Sequence, residues 1–266
     1  MARNADAHRG LRYERHLTPE ADRRHRYGGV RTLELKWSET MAYVVGLMAT
    51  DGCLISDGRH LSFGSADREL VETLLRCLGR PITYSTDLTR KRSLYFRCQF
   101  GDVRFYRWLQ EIGLTPRKSL DLGPIDVPDH YLDPLVRGLL EGDGSLLHYW
   151  YDGTGKARGK RYETFVTVFN SASRQHLEWV RERLARSLAI QGALCPQPPT
   201  ERGTVMWRLA YAIRESCILL PRLYPSRDVP RLQRKWSVWE EYARRHGRPS
   251  TLSEISEERA GYAIAS

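Results

Sequence analysis

The sequence has few cysteines, only five in 266 residues, and none belongs to a CxxC pair. An odd number without that spacing argues against a zinc ribbon and against a disulfide framework, and it is typical of a reducing compartment. No apolar run approaches the roughly 20 residues that a membrane helix needs. The Arg-rich N-terminus also lacks the apolar core of a secretory signal. We therefore expect a cytoplasmic protein without a membrane partner.

Histidine clusters are also absent, since the eight histidines form no HxxH or HNH-like group, which argues against a histidine-metal nuclease. Hydrophobic residues make up 41% of the chain, enough for a folded core. Lys and Arg number 42 against 32 Asp and Glu, a formal charge of +10. That surplus favours a polyanionic partner, because each neutralised phosphate releases a counterion. A soluble protein that is merely basic is the alternative.

An internal repeat organises the chain. YVVGLMATDGCL (43–54) and LVRGLLEGDGSL (135–146) share the pattern apolar-x-Gly-Leu-apolar-x-x-Asp-Gly. Two further pairs of segments follow in the same order at larger offsets, namely 62–70 with 168–177 and 94–100 with 205–211. A preserved order with growing spacing is expected of a duplicated unit whose second copy has gained surface loops, above all at 151–161.

Both copies are predicted to contain helices and paired strands in an α+β arrangement. In the first copy we predict helices at 38–51, 67–78 and 103–114 and strands at 61–63, 82–88 and 93–100. In the second, Asp133 is the predicted N-cap and Pro134 the first helical residue. Further predicted elements there are strands at 162–169 and 205–213 and helices at 173–188, 214–224 and 232–246. The predicted parts are a basic extension (1–37), two halves (38–128 and 129–246) and a frayed tail (247–266).

The strand patterns predict sheets with one apolar and one polar face. Leu94, Phe96, Cys98 and Phe100 alternate with Ser93, Tyr95, Arg97 and Gln99. Residues 205–211 alternate in the same way and place Arg208 at the position that matches Arg97. Such a sheet, with helices behind it, can lie in a DNA major groove. One strand alone fits an ordinary solvated face, but the repeat and the net charge favour DNA.

Each motif segment carries a glycine in mid-helix and ends in Asp-Gly. Gly46 and Gly138 stand where glycine costs about 0.5–1 kcal/mol relative to alanine. Their presence in both copies predicts helices whose backbones approach closely. Asp51 and Asp143 then lie where the helices end, and close carboxylates repel unless they share a proton or a cation. A lone Asp-Gly would indicate a turn, whereas the repeated context favours a Mg²⁺ site.

At these segments the sequence resembles the LAGLIDADG homing endonucleases. VVGLMATDG (44–52) and VRGLLEGDG (136–144) align with the family's nine-residue motif, and the order of elements extends the resemblance to about 38–245. It implies two pseudo-symmetric αββαββα units with the motif helices at their interface and saddle-shaped antiparallel sheets over double-stranded DNA. It also implies Mg²⁺-dependent double-strand cleavage of a long asymmetric site, with short 3′ overhangs.

The resemblance also assigns residues to the site. Asp51 and Asp143 would be metal ligands for Mg²⁺, with Mn²⁺ or Ca²⁺ able to substitute for binding, and the carbonyls of Thr50 and Gly142 would be supplementary ligands. Polar residues that order water in the family correspond here to Ser65, Asn170 and Ser171. The two serines depart from the Lys or Gln that many members have at these positions. Lys118 and Lys235 are candidates for phosphate contacts, with a solvated lysine as the alternative.

Two motif positions depart from the family pattern. Ala49 replaces an acidic residue that Glu141 keeps in the second copy, and we interpret this change as tolerated because the position is not usually a metal ligand. Arg137 is unexpected in a helix interface, where it would point outward or form a salt bridge across the interface.

DNA contacts follow from the polar faces and loops. The candidates are Arg59, Tyr84, Arg90, Lys91, Arg92, Tyr95, Arg97 and Gln99 in the first half, and His148, Trp150, Lys156, Lys160, Arg161, Arg202 and Arg208 in the second. Because both halves lie in one chain, we expect a monomer on a non-palindromic site, free-standing or intron-encoded. Two alternatives stay open, a non-catalytic DNA-binding regulator and a maturase that binds intron RNA.

Overall fold

Two antiparallel sheets of matching strand order form the frame of the molecule. The computed structural model describes residues 15–17, 33–89, 93–116, 120–201 and 203–257. The first sheet has five strands in the order β1-β4-β5-β3-β2, and the second has four in the order β6-β7-β9-β8. Without β1, the order in both sheets is therefore the same, which confirms the predicted α+β class and the duplication. No helix within the described ranges is both long and apolar enough to cross a membrane.

The first half follows the predicted order of elements. Its strands are β1 (Arg15–Leu17), β2 (Gly52–Leu54), β3 (His60–Ser65), β4 (Thr83–Leu88) and β5 (Leu94–Gly101), and its helices are α1 (Glu39–Thr50), α2 (Arg68–Cys77) and α3 (Val103–Glu111). The predicted N-cap is confirmed, because the Ser38 hydroxyl accepts a hydrogen bond from the Met41 N–H at 3.1 Å.

The second half repeats this order, with a longer first hairpin. Its strands are β6 (Ser145–Asp152), β7 (Arg161–Ser171), β8 (Ala193–Pro196) and β9 (Trp207–Tyr211), and its helices are α4 (Leu132–Glu141), α5 (Arg174–Leu188), α6 (Ile213–Leu223) and α7 (Gln233–Arg245). The registers agree as well. Gly64 pairs with Arg97 in the first sheet, and Asn170 pairs with Arg208 in the second. The two arginines therefore occupy equivalent places in the sheets, as the repeat predicts.

The motif helices α1 and α4 form the contact between the halves. A Cβ atom built on Gly46 would lie 2.2 Å from the Leu135 carbonyl oxygen, and one built on Gly138 would lie 2.3 Å from the Tyr43 carbonyl oxygen. The clashes are reciprocal, as expected for a pseudo-twofold axis passing between the two glycines. The predicted close approach of the two backbones is thus confirmed, because only glycine fits at either position.

Three parts of the fold differ from the sequence-based expectations. Helix α4 begins at Leu132, one residue before the predicted N-cap, and Asp133 instead pairs with Arg222 of α6 at 2.8 Å. Strands β6 and β8 had not been assigned from the sequence. The tail is not frayed as far as residue 257, since Ser250 is buried and its carbonyl accepts a hydrogen bond from the Trp239 indole at 2.8 Å.

Gly46→Ala is expected to destabilise the fold by about 3 kcal/mol, because the new methyl group meets backbone atoms that cannot rotate away. Urea denaturation of wild type and variant would measure the change. Gly123→Ala is the matched control, since a Cβ there meets its nearest neighbour, the Gln175 side chain, at 3.9 Å. An equal, small effect of both substitutions would contradict the close packing of α1 and α4.

Candidate active site and nucleic-acid interface

The ends of the two motif helices meet at the centre of the molecule. A Cβ built on Gly142 would lie 1.9 Å from the Thr50 hydroxyl oxygen, so these two residues touch across the interface. Thr50 directly precedes Asp51 and Gly142 directly precedes Asp143. The chain leaves both helices in the same way. A Cβ atom built on Gly52 would lie 2.5 Å from the Met48 carbonyl oxygen, and one built on Gly144 would lie 2.5 Å from the Leu140 carbonyl oxygen. The two aspartates thus follow adjoining helix ends.

Tyr95 lies within the electrostatic field of both aspartates. Burial raises the pKa of its phenol, and the negative charges of Asp51 and Asp143 raise it further. Its ring lies across the neighbouring strand, where a Cβ on Gly64 would approach the ring and hydroxyl atoms to 2.7 Å. The residue predicted as a DNA contact thus reaches from β5 towards the paired aspartates.

Asn170 contacts the loop that carries Asp143. Its side-chain amide donates a hydrogen bond to the Asp143 backbone carbonyl at 3.1 Å. The hydroxyls of Ser65 and Ser171 occupy equivalent places in the two halves. Ser65 accepts a hydrogen bond from the Asp67 backbone N–H and Ser171 accepts one from the Ser173 backbone N–H, both at 3.1 Å. Thr50, Asp143, Asn170 and Ser171 line one small cavity. The structure therefore brings the second-half candidates together beside Thr50, while Ser65 shapes the turn that leads into α2.

Lys235 is buried and caps the second motif helix. Its ammonium group donates to the carbonyl oxygens of Leu140 and Glu141 at 2.8 Å each and of Gly142 at 3.0 Å. Burial lowers the pKa of this lysine to about 8, and nearby Arg234 lowers it as well. The predicted role as an accessible phosphate contact does not match this placement, because all three of its N–H donors are directed at the helix end. The predicted partner in the first half, Lys118, lies outside the described residues.

A buried polar cluster surrounds Glu141, which lies two residues before Asp143. Glu141 accepts hydrogen bonds from the hydroxyls of Tyr43 at 2.6 Å and Tyr224 at 3.1 Å. Burial raises the pKa of Glu141 to about 7, against the opposing effect of these hydrogen bonds. Arg137 does not point outward, as it is 2% exposed, donates to the Leu223 carbonyl and lies 5.1 Å from the Tyr43 ring centre. Its contact across the interface is thus with an aromatic ring of α1.

The donor set fits a hard divalent cation that keeps open coordination positions. Among the described residues no group of three or more His, Cys, Asp or Glu side chains is placed to hold a metal. Two carboxylates would therefore need water or phosphate oxygens to complete a coordination shell, which is how Mg²⁺ is commonly bound. The Gly142 carbonyl already accepts from the Lys235 ammonium group, so it is a poor candidate for the supplementary ligand predicted from the sequence.

The outward face of the first sheet carries three of the five predicted contacts that the structure describes, Tyr95, Arg97 and Gln99. Arg97 and Gln99 are exposed on the face opposite the buried Cys98, and Arg59 is exposed in the β2–β3 turn. Tyr84 is a correction. Tyr84 is only 8% exposed and packs edge-on against Phe96 on the side of the sheet that faces the helices. Its hydroxyl donates a hydrogen bond to the Glu72 carboxylate of α2 at 3.4 Å. Arg90, Lys91 and Arg92 lie outside the described residues.

In the second sheet, the alternation of β6 and β7 places three predicted contacts, His148, Trp150 and Arg161, on the side that faces the helices. His148 packs against Phe165 and Tyr242 on the helix side and bonds to Glu163 at 2.7 Å, so it does not face outward. Trp150 pairs with Glu163 on that same side, where Arg161 covers its ring. Lys156 and Lys160 are exposed in the β6–β7 loop, and Arg208 is half-buried on the outward face of β9. Arg202 lies outside the described residues.

The outward positions of β6 and β7 belong instead to residues that were not predicted from the sequence, which include Tyr149, Tyr151 and Tyr162. The signal was present in SLLHYWYD, because the buried Leu146 fixes which alternate residues of that strand face the helices. The alternation is informative only once β6 is known to be a strand, and the sequence-based prediction contains no strand there.

Solved structures share this fold. A point mutant of the meganuclease I-SmaMI matches with a TM-score of 0.50 and 11% identity over 84% of this chain and 97% of that one. I-SmaMI bound to an uncleaved DNA target with calcium ions gives 0.48 at 13% identity over 85% and 99%. Full-length DUF199/WhiA from Thermotoga maritima gives 0.47 at 15% identity over 89% and 70%.

No protein-family model matches the sequence, and no curated protein is significantly similar to it. The structural neighbours are LAGLIDADG homing endonucleases and the LAGLIDADG domain of WhiA. At these identities the likeness establishes the LAGLIDADG fold, and it confirms the fold that the two motifs predicted.

Glu141→Gln is expected to change how stability depends on pH. The folded-state pKa of Glu141, about 7, lies above the ordinary value of 4.5. The protonated carboxyl therefore favours the fold, and its contribution is complete below pH 4.5 and is lost as the pH rises towards 7. The loss is on the order of 3 kcal/mol. Denaturation from about pH 4 to about pH 8 should show a shallower pH dependence for Glu141→Gln, while the exposed Glu111→Gln keeps the wild-type dependence. Equal slopes for both variants would contradict the buried carboxyl.

Proposed function

We propose that this chain is a site-specific homing endonuclease that makes metal-dependent double-strand cuts in a long asymmetric DNA target. The observation that carries the proposal is the contact between Thr50 and Gly142, since each directly precedes an aspartate of one motif. The fold, the outward arginines Arg97 and Arg208 and the net charge of +10 support DNA as the partner.

Asp51 and Asp143 would hold the divalent ion, Mg²⁺ in the cell. When bound, such an ion lowers the pKa of a coordinated water and stabilises the leaving oxygen of a phosphodiester. The surrounding residues position the carboxylates. Asn170 fixes the Asp143 backbone, and Lys235 holds the end of α4. Tyr95 gives the pocket a partly buried aromatic wall, and burial together with the nearby charge of Asp51 raises the pKa of its phenol.

A non-catalytic DNA-binding regulator is the second candidate. It is favoured by the Lys235 ammonium group and the Asn170 amide, which occupy the Gly142 and Asp143 carbonyls and leave fewer oxygens for a metal. The retention of both aspartates argues against it, because a protein that only binds DNA has no need for carboxylates at adjoining helix ends. Intron RNA is a third partner that the basic charge would suit, and no described contact favours it over DNA.

We also propose that the protein acts as a monomer on a non-palindromic site. Both motif helices come from one chain and their packing buries both interface glycines, so no second copy is needed to complete the site. Sedimentation at micromolar concentration should give a mass near 30.8 kDa. A dimer of about twice that mass would contradict the prediction.

The catalytic proposal is tested with a randomised duplex library in Mg²⁺. We expect specific cuts by wild type that are lost in Asp51→Asn and in Asp143→Asn, because either change removes a metal-binding charge, while binding is retained. Sequencing of the cut ends would measure this and identify the target.

Asp228→Asn is the matched control, since Asp228 is exposed on the surface and removing its charge should leave cleavage unchanged. Cuts that persist in both motif variants would refute the assignment of the aspartates. Tight, selective binding without cuts in Mg²⁺ or Mn²⁺ would favour the regulator instead.

A further inference from the structure

The outward face of the second sheet carries an uncharged patch. We name it the tyrosine face and define it as Leu147, Tyr149 and Tyr151 of β6 with Tyr162, Thr164 and Val166 of β7. Leu147 pairs with Val166, Tyr149 with Thr164 and Tyr151 with Tyr162. Directly paired residues of antiparallel strands project to the same side. All six side chains therefore share one side of the sheet, and none of them is charged.

The tyrosine face is accessible and ordered. Tyr149 and Tyr151 are each 49% exposed, Tyr162 is 37% exposed and Leu147 is 36% exposed. The rings of Tyr151 and Tyr162 stack at 5.5 Å, and those of Tyr149 and Tyr151 lie 6.5 Å apart. The opposite side of the same strands is covered by α7, where Phe165 packs against Trp239. This surface of aromatic rings, aliphatic side chains and Tyr and Thr hydroxyls is therefore not part of the core.

The equivalent face of the first sheet has a different chemistry. Arg97 and Gln99 project from β5 there, beside Ser62 and Ser85 of the neighbouring strands. Arg and Gln side chains read purine edges by paired hydrogen bonds, whereas apolar side chains cannot. The outward faces of the two sheets thus present different chemical groups, Arg97 and Gln99 on β5 of the first and the tyrosine face on β6 and β7 of the second, and they should read bases by different contacts.

The position of the tyrosine face in the fold indicates its occupant. Strand β7 runs outward from Asn170, which contacts the Asp143 loop, to Val166 and then to Tyr162. These positions lie four and eight residues from Asn170, or about 13 and 26 Å along a strand. At about 3.4 Å per base pair, this corresponds to roughly four to eight base pairs from the centre of a bound duplex. The face is also bordered by the exposed Lys156, Arg158 and Lys160 of the β6–β7 loop, which suit a phosphate backbone.

Within the major groove, the apolar group on a base edge is the C5 methyl of thymine. We propose that the tyrosine face reads thymine methyl groups in the half-site bound by the second sheet. This specificity rests on the DNA binding proposed above. It makes the two half-sites unlike in composition, with thymines roughly four to eight base pairs from the centre on the side of the second sheet.

Replacing thymine by deoxyuridine removes the methyl group and leaves pairing intact. The probe is the duplex selected from the randomised library, with deoxyuridine placed at one position at a time and binding measured with the Asp143→Asn variant. We expect affinity to fall about fourfold per contacted methyl group. The effect should be confined to one half-site and should disappear in Leu147→Ala and Val166→Ala.

Gln99→Ala on the first sheet is the matched control and should keep the deoxyuridine effect. Selective binding that is indifferent to deoxyuridine, or a selected half-site without thymine in this interval, would overturn the inference and leave the proposed function standing. Absence of any selective DNA binding would overturn the proposed function itself. Self-association that Leu147→Ala abolishes, with no deoxyuridine effect, would assign the face to a second copy of the chain. A variant that fails to fold leaves the wild-type measurement decisive.

Discussion

The backbone contact between Gly46 and Gly138 is the constraint on which the rest of the molecule depends. Helix packing normally keeps axes about 8–10 Å apart through the side chains between them, but here a single β-carbon on either glycine would meet main-chain oxygen. The helix ends are consequently adjacent, and one turn further on Thr50 rests against Gly142. Everything proposed about Asp51 and Asp143 follows from this approach, because wider spacing would separate the two turns that carry them.

The two motif helices are equivalent in backbone and unlike in side chains. The second brings Arg137 and Glu141 into the buried interface, where the first has Val45 and Ala49 at the matching positions. Buried charges are costly unless they find partners. Tyr43, Tyr224 and the Leu223 carbonyl supply those partners, and Lys235 neutralises the helix end nearby. The polar groups that stabilise the centre therefore come mainly from the second half, so the centre is pseudo-symmetric only in its main chain.

Local sequence patterns predicted the two repeated halves and the contact between their motif helices at Gly46 and Gly138. They did not predict which residues surround a given side chain in the folded protein. A glycine in mid-helix has a cost that demands an explanation, so Gly46 and Gly138 were informative. Tyr84 was misplaced because the facing of a strand depends on register, and one step of alternation moves a side chain to the other side. Lys235 was misplaced because no pattern along α7 reveals that the end of α4, far earlier in the chain, lies within reach of its ammonium group. Contacts of this kind are set by tertiary packing.

The separation of the two sheets has an evolutionary consequence. Substitutions at Arg97 or Gln99 touch one sheet surface, those at Leu147 or Tyr162 touch the other, and neither set contacts Gly46 or Gly138. Each sheet surface can therefore change on its own, without altering the contact between the central helices on which the proposed cleavage site depends. If the proposed function holds, a lineage built in this way would acquire a new target one half-site at a time.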